Sequence, residues 1–322
     1  MAADANDSES IVREALQRAK AEQSTLINVG SKEIDDSGAI VLAEGLLHNT
    51  SVAHLNLSDN HIGEEGATAL ADILRDNSTL NTLELRFNGI GDAGARALAD
   101  GLQGNTAVKH LFLDENEIGD DGAIALANAM RVNSNVSILT LEDNQIGDEG
   151  ASGIADMLRG NDTLEELNLA GNRISDDGAR ALYEGLLENT SLKGMGLGSD
   201  FARAGNHISH NVKRKVMVIV EQNRTDPGAS AERVEDILRS RGLMPPAEAS
   251  GVGRRIRKSR PSRKRKPSRK RKSSRKRKPS RKRKPSRKRS RRKRKYLRKN
   301  NRTTQVRLKR VRPRKNKKRQ TR

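Results

Sequence analysis

Residues 108–135 read VKHLFLDENEIGDDGAIALANAMRVNSN and contain every part of a unit that recurs along the chain. The unit opens with the short alternating segment Leu111-Phe-Leu113, continues through Asn116 and a Gly-Asp-Asp-Gly turn, and ends in an Ala- and Leu-rich run before Asn133. Alternation indicates a half-buried strand, and apolar residues at i, i+3, i+4 and i+7 indicate an amphipathic helix. One unit therefore predicts one strand followed by one helix.

The unit recurs with a fixed period of 28 residues. Each copy has an isoleucine after its strand, and a glycine follows that isoleucine by four residues. A fixed period between 20 and 50 residues is typical of solenoids and propellers, in which each repeat packs on its neighbours. The isoleucines that define the period are Ile34, Ile62, Ile90, Ile118, Ile146 and Ile174.

Two series of asparagines follow the same period. The strand-exit asparagines lie where the chain leaves each strand, and an amide there can donate to and accept from the backbone of the adjacent coil, so we interpret them as a structural ladder. They are Asn60, Asn88, Asn116, Asn144 and Asn172. The helix-end asparagines are interpreted as C-caps, because Asn tolerates the left-handed conformation that ends many helices. They are Asn49, Asn77, Asn105, Asn133, Asn161 and Asn189.

An acidic residue starts each predicted helix. A carboxylate at a helix N-terminus is favourable by about 0.3–1 kcal/mol, so we expect these residues to stabilise their helices. They should also form an acidic rim that could attract a basic partner, including the basic tail of this chain. They are Asp36, Glu64, Asp92, Asp120, Asp148 and Asp176.

The pattern Leu-x-Leu-x-x-Asn-x-Ile, followed by a Gly-x-x-Gly turn and a helix, resembles the leucine-rich repeat in its 28-residue ribonuclease-inhibitor subtype. Similar repeats occur in ribonuclease inhibitor, the activating protein of the Ran GTPase, tropomodulins and NOD-like receptors. The resemblance covers about residues 25–223. It implies an α/β fold, a right-handed solenoid or horseshoe of about seven strand-helix repeats with a parallel sheet on its concave side.

Departures from the repeat predict where the solenoid ends. An amphipathic helix within residues 1–24 should cap the solenoid of residues 25–223, and residues 224–250 should form a short helix and a linker to the tail at 251–322. In the last repeat we expect an apolar face to continue through Val216, Met217 and Val220.

One irregular loop interrupts the period near the end of the solenoid. Six residues are inserted between Leu197 and Asn206, and the insertion contains Asp200, Phe201 and Arg203. Loops on a rigid scaffold often carry recognition, so these residues are candidates for contact with a partner. The alternative is that the loop only shapes the final cap.

The residues that flank the second leucine of each predicted strand should share one face of the sheet. A mixed surface of charges and amides with one exposed Phe suits recognition of a protein better than a small-molecule pocket does. The candidate protein-binding residues on this face are Asn56, Ser58, Glu84, Arg86, Phe112, Asp114, Thr140, Glu142 and Asn168.

No arrangement of residues for catalysis, cofactor binding or metal binding is visible in the sequence. The chain has no cysteine, which excludes thiolate nucleophiles and Cys-based zinc sites, and its six histidines lack the spacing of metal ligands. We therefore predict a monomeric, non-enzymatic scaffold for protein-protein interaction that needs no cofactor. The resemblance leaves two alternatives open, a GTPase activator or regulator of the Ran type and a cytoskeletal capping protein of the tropomodulin kind.

The C-terminal residues 251–322 carry 42 Lys or Arg and no Asp or Glu, whereas residues 1–250 carry 41 Asp or Glu against 21 Lys or Arg. A block of one charge sign with little apolar area cannot fold against itself, so we expect a disordered tail. The tail lacks the aromatic residues that read single-stranded bases, and it should bind the phosphates of DNA or RNA without reading sequence. The basic residues assigned to this binding are Arg263, Lys264, Arg265, Lys266, Arg269, Lys270, Arg271, Arg275, Arg281, Arg287, Arg291, Arg292, Lys293 and Arg294.

Anionic membranes and acidic proteins are the rival polyanions, but no apolar anchor accompanies the tail, so we expect no membrane partner. Basic clusters also act as nuclear import signals, which predicts a nuclear, nucleolar or chromatin-associated protein. Several tail serines lie among arginines at a spacing that basophilic kinases accept, and a phosphate there would weaken the binding of polyanions. The candidate serines are Ser262, Ser268, Ser274, Ser280 and Ser286.

Overall fold

The structure is a computed structural model, and it describes residues 5–198, 205–227 and 229–244. The predicted insertion-loop residues Asp200, Phe201 and Arg203 lie outside the described residues. The same holds for every basic residue and every serine assigned above to the tail.

Strands and helices alternate along the described part of the chain, as the period predicts. Each strand is three residues long because the alternating segment of each repeat is short. The strands are β1 Leu26–Asn28, β2 His54–Asn56, β3 Thr82–Glu84, β4 His110–Phe112, β5 Ile138–Thr140, β6 Glu166–Asn168 and β7 Gly194–Gly196. The helices are α1 Ala5–Glu22, α2 Asp36–Leu46, α3 Glu64–Asp76, α4 Gly91–Leu102, α5 Asp120–Met130, α6 Asp148–Leu158, α7 Asp176–Leu186, α8 His210–Thr225 and α9 Ala231–Ser240.

The strands form one parallel sheet in which β1 to β7 lie in sequence order. Equivalent residues of successive repeats pair with each other, so Leu55 lies beside Leu83 and Leu83 beside Leu111. The 28-residue period therefore sets the register of the sheet directly. The predicted α/β solenoid of strand-helix repeats is confirmed.

The core lies between the sheet and the helices. In the repeat that contains β4, the strand leucines Leu111 and Leu113, the following Ile118 and the helical Ala123 are all fully buried. The helices of neighbouring repeats approach each other closely at these positions. A Cβ added at Gly122 would lie only 3.1 Å from the Cβ of Ala95 in the preceding helix, so there is no room for larger side chains. Small residues thus allow neighbouring repeats to stack closely.

Both ends of the solenoid are covered by helices. At the N-terminal end α1 buries Val12 against the first repeat, and the hydroxyl of Ser8 donates to Asp35 at 2.9 Å. At the other end α8 buries Val216 and Val220, as predicted. The prediction for Met217 is wrong, since its side chain is 39% exposed. The buried residues Val212, Val216, Ile219 and Val220 lie within about 100° of helix face, and Met217 points about 100° away from Val216, beyond the edge of that face.

The strand-exit asparagines form the predicted ladder between repeats. Asn144 donates from Nδ2 to the carbonyl oxygen of Leu113 at 2.9 Å, and its Oδ1 accepts from the amides of Asn116 at 3.1 Å and Ile118 at 3.0 Å. Asn116 is an exception, because no described residue donates a hydrogen bond to its buried Oδ1. The backbone that faces Asn116 has a different conformation: Gly91 is left-handed with φ 61°, and its amide donates to the backbone carbonyl of Asn116.

The interpretation of the helix-end asparagines as left-handed C-caps is wrong. None of them has a positive φ, and Asn77 is extended with φ −78° and ψ 123°. Their side chains instead form a second ladder: Asn133 donates to the carbonyl oxygens of Leu102 at 2.7 Å and Asn105 at 2.9 Å, and accepts from Val136 at 3.0 Å. The side-chain amide of Asn133 therefore joins three stretches of backbone. A left-handed backbone conformation at Asn133 alone could not make these contacts.

The acidic residues at the helix starts also act between repeats. Oδ1 of Asp120 accepts from the amides of Gly147 at 2.7 Å and Gly150 at 2.8 Å, at the start of the next helix. Each such aspartate therefore caps the helix that follows it as well as contributing charge to its own. Glu64 makes no comparable bond among the described residues.

Among the described helices, none has both the length and the apolar character to cross a membrane.

Candidate functional site

The predicted sheet-face residues point outward from the strands, away from the buried leucines. They lie on one face because side chains alternate along a strand, and the parallel register places equivalent positions side by side. We call this surface the open sheet face and define it by the outward residues from His54 in β2 to Asn168 in β6. Most of these side chains are partly exposed.

Arg86 is the centre of the open sheet face. Its Nε donates to Oδ2 of Asp114 at 2.9 Å, and its Nη1 donates to Oε2 of Glu84 at 3.0 Å. The guanidinium also lies over the ring of Phe112, 4.1 Å from the ring centroid. The prediction of an exposed Phe at position 112 is therefore wrong, because Arg86 covers the ring and leaves it half-buried. A planar guanidinium can make both ion pairs and the stacking contact at once.

Hydrogen bonds extend from Arg86 across five strands. On one side, Oε1 of Glu84 lies 2.6 Å from Nε2 of His54. On the other side, Asp114 accepts from Oγ1 of Thr140 at 2.7 Å and from the amide of Glu142 at 2.8 Å. Glu142 in turn accepts from Nδ2 of Asn168 at 2.8 Å. These side chains are therefore held in fixed positions before any partner binds.

Two of the predicted residues do not take part in this network. Oδ1 of Asn56 accepts from the amide of Ser58 at 2.9 Å, so the Asn56 side chain turns back onto its own backbone. The hydroxyl of Ser58 is buried and has no hydrogen-bond partner among the described residues.

Sequence reasoning missed Phe87, which is 49% exposed beside Arg86. Phe87 immediately precedes a strand-exit asparagine and has a left-handed backbone with φ 55°. Asp59, Glu115 and Asp143 occupy the same position in other repeats and are also left-handed. The 28-residue spacing of these residues could have shown that position 87 lies on the loop edge of the sheet, not in the core.

The loop edge next to Phe87 is negatively charged. Burial raises the pKa of Glu115 above its ordinary value, and the nearby carboxylates of Asp143, Asp114 and Glu142 raise it further. Repulsion between these groups would fall if a cation bound beside them. This part of the face therefore suits a partner that brings Lys or Arg.

The described residues contain no group of three or more His, Asp or Glu able to hold a metal ion. What the open sheet face offers is a fixed set of hydrogen-bond donors and acceptors, one stacked aromatic ring, and an exposed aromatic ring beside clustered carboxylates. These features recur at surfaces that recognise other proteins.

Comparison with known proteins identifies the repeat. The family model described as Leucine Rich repeat matches five segments, at residues 48–71, 76–99, 104–127, 132–155 and 160–182. No curated protein matches the chain in sequence.

Three solved structures illustrate the similarity. Actin-binding site 2 of leiomodin-1 is 19% identical, with a TM-score of 0.42, over 56% of this chain and 97% of that one. The tropomodulin C-terminal domain of Caenorhabditis elegans is 16% identical, with a TM-score of 0.37, over 55% of this chain and 98% of that one. Pollen receptor kinase 3 is 15% identical, with a TM-score of 0.35, over 55% of this chain and 74% of that one. Together with the matched segments and the parallel sheet, the period shows that residues 48–182 contain five leucine-rich repeats.

Proposed function

We propose that the chain is a non-enzymatic scaffold that binds a protein on its open sheet face and binds DNA or RNA through the basic tail at residues 251–322. The observation that carries the first half is the hydrogen-bonded network centred on Arg86. Side chains that are already held in place lose little conformational entropy when a partner binds, so more of the contact energy appears as affinity.

The chemistry of the face defines the kind of partner. Phe87 offers an exposed aromatic ring, and Glu115 lies in a cluster of carboxylates at the same loop edge. A protein segment with an apolar side chain next to Lys or Arg would match both features, since aromatic side chains surrounded by polar contacts carry much of the energy in protein interfaces.

Charge supports the second half of the proposal. The tail carries 42 Lys or Arg and no acidic residue, whereas the first 250 residues have a large acidic excess. An arm that engages ten phosphates releases counterions, so log affinity falls against log salt with a slope of about −9. Such an arm fits a nuclear, nucleolar or chromatin-associated role. The Ran-type activator stays an alternative prediction.

Substitution of Phe87 tests the protein-binding half. We expect Phe87→Asp to abolish capture of the bound protein from a nuclear extract, because it places a charge where an apolar contact is proposed. Val132→Asp is the matched control, since Val132 is an exposed apolar residue after helix α5 and is 66% exposed. Equal capture by both variants would contradict the assignment of the open sheet face.

Titration of duplexes at several salt concentrations tests the tail. The intact chain should bind two unrelated duplexes equally and with a steep salt slope, and a chain that ends at residue 250 should not bind. Aspartates in place of Ser262, Ser268, Ser274, Ser280 and Ser286 should weaken binding and make the slope shallower. Strong binding by the truncated chain, or a large preference between the duplexes, would show that the tail is not the nonspecific arm proposed.

A further inference from the structure

The C-terminal cap contains a basic cavity that neither the open sheet face nor the tail explains. Its volume is about 330 Å³. It lies between helix α8 and the end of α9, and none of the described residues that line it is acidic. The lining residues are His210, Lys213, Arg214, Met217, Val218 and Arg241.

The charge pattern of α8 departs from that of the other repeat helices. Each helix from α2 to α7 has an acidic residue in its first turn, and α8 has none. Instead Lys213, Arg214 and Lys215 lie near its start, and its first acidic residue is Glu221. The carboxylate of Asp176, from the preceding helix, accepts from the amide of Ser209 at 2.6 Å at this end, but no acidic residue in the first turn of α8 itself offsets the three cations, which are unfavourable near the positive end of a helix. A departure of this kind from local preference is expected at a functional site.

The arginines of the cavity also differ from their neighbours in pairing. In the same cap, Arg224, Arg233 and Arg239 each pair with a carboxylate at 2.6–2.9 Å. Within the described part of the chain, Arg214 and Arg241 form no ion pair and are exposed. Their two guanidinium groups are therefore available to a ligand that brings negative charge.

The cavity has an apolar part as well. Met217 is 39% exposed and Val218 is 7% exposed, and both line the cavity beside the cations. A ligand that alternates anionic and apolar groups would use both kinds of contact. In the backbone of a nucleic acid, phosphates alternate with sugars whose C–H groups can contact apolar side chains, and guanidinium groups suit the phosphates.

We propose that this cavity binds the phosphate backbone of the same nucleic acid that the tail binds, so that the folded domain adds a fixed anchor to the tail. The proposal rests on the nucleic-acid binding proposed above. Gly251, where the tail begins, follows Arg241 by ten residues, and a chain of that length spans at most about 36 Å. Because duplex DNA carries one negative charge per about 1.7 Å of its axis, one duplex can contact the cavity and the tail together.

Cross-linking from a single cysteine tests the location. The chain has no cysteine, so Met217→Cys in the intact chain gives one attachment point for a photoreactive maleimide. Leu47→Cys is the matched control, because Leu47 immediately follows helix α2 and is 38% exposed, close to the 39% of Met217. We expect several-fold more cross-linking to a 20-base-pair duplex from position 217 than from position 47. Equal cross-linking would overturn the proposal.

Charge reversal in the intact chain tests the contribution to binding. Arg214→Glu with Arg241→Glu should make the salt slope shallower by about 2, because each lost phosphate contact removes about 0.9. Arg96→Glu with Arg131→Glu makes the same change of net charge at exposed arginines of the solenoid that form no ion pair among the described residues. The control pair should leave the slope within about 0.5 of wild type, since it removes no phosphate contact.

The outcomes separate the two proposals. If the intact wild-type chain does not bind the duplex, the proposed nucleic-acid function fails and the cavity proposal fails with it. If the chain binds but both variant pairs change the slope equally, only the cavity proposal fails. A fluorophore at position 217 that responds to phosphatidylserine vesicles and not to duplex would also overturn it, because the ligand would then be a lipid headgroup.

Discussion

The break in the strand-exit ladder predicts that two equivalent asparagines differ in their importance. Asn144 accepts from two buried amides, those of Asn116 and Ile118, whereas Oδ1 of Asn116 accepts from none. Asn144→Ala should therefore leave two buried donors unpaired, at about 1–3 kcal/mol each, and lower the free energy of unfolding by roughly 3 kcal/mol. Asn116→Ala removes only donation to carbonyl oxygens and should cost about 1 kcal/mol.

Urea denaturation of the intact chain, followed by circular dichroism, measures this difference. Both substitutions remove the same atoms from fully or nearly fully buried sites, with Asn116 0% and Asn144 6% exposed, so the void each leaves contributes similarly. The difference of about 2 kcal/mol corresponds to roughly 30-fold in the folding equilibrium constant. Coincident transition midpoints, or a larger loss for Asn116→Ala, would refute the reasoning that the accepted amides set the cost.

Four further substitutions test charge and capping. Asp120→Ala should cost about 1–2 kcal/mol because it uncaps the next helix, whereas Glu64→Ala, which removes only a charge at the start of its own helix, should cost about 0.3–1 kcal/mol, as measured by urea denaturation. Glu115→Gln should stabilise the protein at neutral pH, since the raised pKa of Glu115 means that its carboxylate is destabilising there, and the gain should vanish in acid where both forms are neutral. Burial alone would raise the pKa of Asp148, but hydrogen bonds from Ser175 and the next helix lower it below 3.8. The ionised carboxylate of Asp148 therefore contributes its full stabilisation to the fold above pH 3.8, and this contribution is lost on further acidification. Ser175→Ala should therefore move acid unfolding, followed by circular dichroism, to higher pH, and an unchanged acid midpoint would contradict this.

Much of the architecture follows from the period alone. Identical units of 28 residues can bury a continuous core only if equivalent residues stack, so Leu55, Leu83 and Leu111 had to lie side by side in the sheet. Alternation along each strand then placed Arg86 and Asp114 on the outward face. The positive charge of the tail likewise follows from counting its residues, and no structure is needed to establish it.

The errors of sequence reasoning share one cause, which is that the period gives a residue's place in its repeat and not the direction of its side chain. Phe112 was expected to be exposed and is covered by Arg86, a residue of the preceding repeat. Phe87 went unnoticed because its exposure depends on a left-handed backbone. Met217 was assigned to the buried face of α8, although one step along a helix turns a side chain by about 100°.

The sequence by itself determined the repeat, the strand order, the core residues and the opposite charges of the two parts of the chain, because these depend on spacing and composition. Only the tertiary structure decided which polar atoms meet. The helix-end asparagines, the capping aspartates and the network of Arg86 all bond to residues about 28 positions away, and the basic cavity joins α8 to Arg241 beyond α9. Such contacts depend on distances of 2.7–2.9 Å between atoms of different repeats, which a one-dimensional pattern does not specify.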